Sequence, residues 1–166
     1  MKSVGLALAT AALLASNIAK ADEICLRLKS FETAARSDNP VEPQWIDVYW
    51  AVDDEAIFSS ACIHGEKAAS GALCEWLVEN MSREFSGLLP KRILDCAKTG
   101  RNPYGATDFP ARATFFAGHQ GGRFYLQTAH RKDSEKPWMR LTIFPDRRRS
   151  DASTLPEPVD YKRTVE

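Results

Sequence analysis

No stretch of this chain is apolar for long enough to cross a bilayer: the main apolar run, Val4 to Ala15, falls short of the roughly 20 residues that a spanning helix needs. No phosphate-binding glycine motif, no GxSxG nucleophile elbow and no nucleic-acid module is present, so nucleotide chemistry, serine hydrolysis and nucleic-acid binding have no motif behind them. A CxxC pair is missing as well. Cys62, His64, Cys74 and Cys96 therefore offer zinc-ligand types without the usual zinc spacing, and no metal or cofactor is implied. Charge of one sign is lacking too: 22 Lys and Arg stand against 22 Asp and Glu, which argues neither for nucleic acid nor for a membrane surface as partner. There is no internal repeat.

What is present begins with an export signature. Lys2 supplies a positive start, the apolar run follows, and Ala19-Lys20-Ala21 matches a small-x-small cleavage site. Residues 1–21 are expected to be a signal peptide, and Asp22 the first residue of a mature chain sized for one domain with its own core. Lipoprotein processing at Cys25 is disfavoured, because Asp22 and Glu23 stand where small or apolar residues are needed. The expected location is periplasmic or secreted, with no membrane contact after cleavage. All four cysteines survive cleavage, and an even count in an exported chain favours two disulfides. Three pairings are possible. Cys62–Cys74 with Cys25–Cys96 is favoured, because a strand end and the start of the next helix can meet across the short loop between Cys62 and Cys74.

The periodicities give an α+β order: an N-terminal helix, a β-hairpin, a central pair of helices and a three-stranded antiparallel meander, stapled by the disulfides. Ile24, Leu28, Phe31 and Ala35 form the apolar stripe of a helix over Asp22 to Ser37. Trp45 to Val52 and Ala56 to Ile63 read as paired strands around an acidic turn. Ser70 is the expected N-cap of a central helix whose stripe is Leu73, Trp76, Leu77, Met81, Phe85 and Leu88. A short helix from Lys91 to Lys98 follows Pro90, and a loop from Thr99 to Pro110 leads out of it. The strands Ala111 to Ala117 and Arg123 to Ala129 flank the hairpin loop Gly118 to Gly122, and Trp138 to Phe144 is the last strand. Within that strand, alternation puts Met139, Leu141 and Ile143 on one face and Trp138, Arg140, Thr142 and Phe144 on a second, partly wet face. The single domain is expected to end at Pro145. Residues 146–166, with their Arg147-Arg148-Arg149 run and little apolar periodicity, have the composition of a disordered tail.

Candidate functional residues fall into three sets. Trp45, Tyr49, Trp50, Tyr125 and Trp138 lie on predicted strands, and aromatic residues of this kind anchor binding surfaces. Arg101 and Tyr104 offer a guanidinium and a ring at a turn. His64 and Glu66 follow a strand end, where a histidine beside a carboxylate can serve as a general base, although no nucleophile accompanies them. His119 and His130 read as exposed polar residues. The expectation is a small exported binding protein that contacts a protein in the same compartment, an inhibitor or immunity-type factor being the concrete version. The alternatives are a small enzyme built on His64 and Glu66, and a small-ligand binder with an aromatic-lined cavity. The sequence does not fix the oligomeric state.

Overall fold

A computed structural model describes residues 23–39, 41–53, 56, 58–97, 111–131 and 135–146. The expected signal peptide (1–21), the expected loop of residues 99–110 and the tail beyond Asp146 lie outside the described residues. The first helix, α1, covers residues 23–38, and Ile24, Leu28, Phe31 and Ala35 are its buried stripe. The elements that follow are β1 (Gln44–Trp50), β2 (Ser60–His64), α2 (Ala68–Asn80), α3 (Leu88–Cys96), β3 (Arg112–Ala117), β4 (Arg123–His130) and β5 (Pro137–Phe144).

The hairpin and the meander are not separate sheets. All five strands join in one antiparallel sheet of order β2-β1-β5-β4-β3, with β5 bonded to β1 on one side and to β4 on the other. The three described helices cover one face. Ile46, Val48, Trp50, Phe124, Leu126, Met139, Leu141 and Ile143 project from that face into the core, against Leu28, Phe31, Leu73, Leu77, Leu89 and Ile93. The opposite face is drier than the alternation alone implied. On the central strands Asp47, Tyr49, Trp138, Arg140, Thr142 and Phe144 are buried, and half-burial is left to Trp45 at the start of β1 and to Tyr125, Gln127 and Phe115 on the flanking strands.

The central helix is shorter than its apolar stripe suggested. It starts at Ala68, so Ser70 is a buried residue of the first turn and not the N-cap. It ends at Asn80, whose side-chain amide donates to the Trp76 carbonyl at 2.9 Å. Met81 is already extended, and the Ser82 hydroxyl accepts from the Phe85 N–H at 2.9 Å, which starts a turn. Side-chain hydroxyls compete with helical bonding in this way. The next helix therefore opens three residues earlier than expected, at Leu88, with Pro90 in its first turn, where a missing N–H costs nothing. Likewise β2 starts at Ser60 and not at Ala56. The approach to it is irregular, with Ala51 at φ 51° and its N–H bonded to the Ser59 carbonyl.

Cys25 is bonded to Cys96 and Cys62 to Cys74, with Cα separations of 5.3 and 5.5 Å. The first bridge ties α1 to the end of α3, and the second ties β2 to α2. A third long-range tie is polar. The Glu32 carboxylate, buried on α1, accepts from the backbone N–H groups of Gln120 (2.9 Å) and Gly122 (2.8 Å) and so holds the β3–β4 hairpin against the helix. Gly118 is required there: a Cβ at that position would collide with the Glu32 carboxylate. Gly121, at φ 90°, supplies the left-handed residue of the same turn.

Candidate functional site

The C-terminal end of β1 gathers three aromatic residues from different parts of the chain. Trp50 ends the strand with its ring in the core, and its indole N–H donates to the Ser82 carbonyl at 3.0 Å. That bond fixes the α2–α3 connection at this end of the sheet. Phe85 lies one turn beyond Ser82 and leaves 36% of its surface in water. On the other side, the Ala51 N–H reaches the Ser59 carbonyl at 2.7 Å and closes the β1–β2 hairpin. Phe58, next to Ser59, is 54% exposed. Burying a phenylalanine side chain is worth roughly 1.5–3 kcal/mol, so two exposed rings at one end of a braced sheet are a surface with energy in reserve for contact. Neither ring was legible as a surface group in the sequence, where Phe58 fell in the return strand and Phe85 in the helix stripe. The signal available was Ser82, Ser86 and Gly87, turn-favouring residues around Phe85.

The aromatic residues nominated on the strands are divided by the pleat. Trp50 faces the helices. Trp45, Tyr49, Tyr125 and Trp138 share the opposite face, where Tyr49 and Trp138 are buried and Trp45 and Tyr125 half-buried. At the centre of that face Arg140 and Asp47 form a two-pronged ion pair, Nε to Oδ1 and Nη2 to Oδ2, each at 2.6 Å. The guanidinium also lies 4.8 Å from the centre of the Trp45 ring. Burial, and then the neighbouring Asp47 carboxylate, push the Tyr49 hydroxyl well above its ordinary pKa of 10.0, which keeps the phenol neutral. Nearer the β3 edge, Phe115 packs on Tyr125 with ring centroids 4.6 Å apart and planes tilted by 40°, and the Arg123 guanidinium sits 4.3 Å from the Phe115 ring centre. The central part of this face is thus an internal polar and aromatic layer. Arg101 and Tyr104 lie outside the described residues.

His64 ends β2 with its Nδ1 2.7 Å from the Gly65 carbonyl oxygen, and its ring flanks Gly71 of α2. Glu66 is exposed, and no hydrogen bond joins the two side chains among the described residues. All four thiols are committed to disulfides, and among the described residues no three His, Cys, Asp or Glu side chains converge as metal ligands. An open concavity of about 380 Å³ is bounded by Phe115, Phe116, Ala117 and Arg123 at the β3 edge. No described helix is long and apolar enough to cross a membrane. Comparison of the chain with protein-family models, with curated proteins and with solved structures gave no match.

Proposed function

We propose that the chain is a small exported binding protein that acts by contact with a protein of its own compartment, the concrete form being an inhibitor or immunity-type factor. The observation that carries this reading is the pair Phe58 and Phe85, exposed at one end of the sheet and braced from beneath by the Trp50–Ser82 hydrogen bond. Aromatic side chains dominate the energy of protein contacts, and a frame that is already rigid loses little entropy on docking. The two disulfides support both the rigidity and an oxidising compartment. The test is titration of the purified protein against a panel of peptidoglycan hydrolases, together with retention of periplasmic proteins on the immobilised chain. The wild type should inhibit or retain a specific partner. The variant with both Phe58→Ser and Phe85→Ser should lose at least about tenfold in potency with an unchanged melting temperature, since loss of one aromatic anchor alone is worth roughly 2 kcal/mol. Equal potency of the two proteins, or no partner for either, would overturn the reading.

A further inference from the structure

Among the described residues, the β3 edge of the sheet carries an unused set of backbone groups. Gly118 donates its N–H to the Gly122 carbonyl at 3.0 Å, which makes that pair a hydrogen-bonded one. Antiparallel ladders alternate, so along the β3–β4 register the bonded residues are Phe116, Thr114 and Arg112. The N–H and C=O groups of Ala113, Phe115 and Ala117 then point away from β4. Among the described residues nothing pairs with them, and the side chains of Ala113 and Ala117 are exposed. The usual protections of an edge are missing: within Ala113–Ala117 there is no charge, no proline and no bulge. The opposite edge differs. β2 is a residue shorter, and its middle residue, Cys62, is bonded to α2.

We infer that β3 is a self-pairing edge, and that two copies of this chain join their sheets there across a two-fold axis through Phe115. This rests on a surface separate from Phe58 and Phe85, and it stands or falls independently of the proposed function. The residues whose backbone groups point outward are symmetric in side-chain size about Phe115, with Ala113 on one side and Ala117 on the other. With Phe115 opposite its own copy, each Ala113 faces the Ala117 of the other chain, and all three outward-pointing residues exchange both backbone bonds. A closed two-fold contact of this kind uses one patch on both chains. Charge is consistent with the register. Arg112, the one charged residue of β3, falls opposite Gly118 of the other copy, and the two Arg112 side chains stand roughly 20 Å apart at about 3.4 Å per residue. The open concavity beside Phe115, Phe116 and Ala117 is the space that the incoming strand enters. On the far face, the Phe115 rings meet across the axis and extend the Phe115–Tyr125 ring contact. The chemistry of the partner is therefore a second copy of the same strand, antiparallel and in one register.

Sedimentation equilibrium on the mature, disulfide-bonded protein from about 10 to 500 μM tests this, because a contact of one strand pair falls in the weak class. The mass should rise towards that of a dimer across the range. Ala113→Pro removes an N–H that no described residue uses, so the variant should keep its melting temperature and weaken dimerisation at least tenfold. A mixture of Ala113→Cys and Ala117→Cys chains should give the mixed disulfide in excess of either self-linked product, because a residue lies opposite its mixed partner and roughly 13 Å from its own copy. A protein that stays monomeric throughout, a dimer that survives Ala113→Pro, or statistical cross-linking would each overturn the inference. Monomers that capture an extended foreign strand at β3 would also overturn it.

Discussion

Truncating one member of the Asp47–Arg140 pair tests the reading of the second sheet face most directly. Both side chains are essentially out of water, at 0% and 2% exposure, and two hydrogen bonds of 2.6 Å join them. Arg140→Ala leaves the Asp47 carboxylate buried without its countercharge, and breaking a buried pair in this way costs roughly 3–5 kcal/mol. It also removes the guanidinium from the Trp45 ring, a contact worth about 0.5–2 kcal/mol. Against a typical domain stability of about 5–15 kcal/mol, that single change removes a large part of the total. Replacing the whole layer should behave differently. Asp47 also bonds the Tyr49 hydroxyl, so the apolar counterpart needs three changes together: Asp47→Leu, Tyr49→Phe and Arg140→Met. Exchange of a buried ion pair for apolar groups of similar volume is neutral or stabilising by about 1–4 kcal/mol, so the triple variant should be far more stable than Arg140→Ala. Urea denaturation followed by tryptophan fluorescence gives both numbers, provided the slopes agree. If Arg140→Ala costs less than about 1 kcal/mol, or the triple variant is less stable than that single one, the pair is not the dry and mutually dependent unit described.

Tyr49 yields a pH prediction. Its folded pKa is raised, so the stability it contributes is present below its unfolded value, ordinarily 10.0, and is lost as pH climbs above that value. Absorbance titration of tyrosinate should show this one phenol resisting ionisation until alkaline unfolding, and Tyr49→Phe should remove that late step. Glu32→Ala orphans the N–H groups of Gln120 and Gly122 and should cost about 3 kcal/mol, with faster hydrogen exchange at those two amides as its local signature. Gly118→Ala should loosen the same hairpin through its collision with Glu32. Reduction of both disulfides should destabilise the domain by about 2–5 kcal/mol per bridge, the more so for Cys25–Cys96, which spans 71 residues. A melting temperature that reducing agent does not move, with thiol release confirmed, would contradict this.

The α+β class, the stripe of α1, the alternation within β5 and the Cys62–Cys74 pair were legible because each depends on near neighbours or on short loop closure, and Cys25–Cys96, 71 residues apart, followed only as the pair that remained. Arg140 shows the limit. Its face was readable from alternation, but its partner Asp47 is 93 residues away, on a strand that the sequence paired only with β2. Nothing local announces that β5 enters beside β1. The overlong central helix failed for a different reason. Met81, Phe85 and Leu88 keep a helical period by spacing alone, while Asn80 and Ser82 redirect the backbone through their own hydrogen bonds. Of the candidate site, aromatic identity was readable but exposure was not. Exposure is decided by which segments cover a ring, and the rings that stay wet, Phe58 and Phe85, sit in connections and not on strands.

The place of β5 bears on when the chain can become a folded object. It is the last of the described strands to leave the ribosome, and it lies in the middle of the sheet, bonded on both sides. Until Pro137–Phe144 arrives, β1 and β4 each lack a neighbour, and the face that will receive Met139, Leu141 and Ile143 has a gap down its centre. The two halves of the sheet cannot close on each other without it, so the contacts that complete the fold are long-range ones, and their closure entropy is met late. In a nascent chain the sheet consequently stays open, and its closure is deferred to the moment when β5 is delivered. Placing the keystone strand so late in the order of synthesis works as a timer.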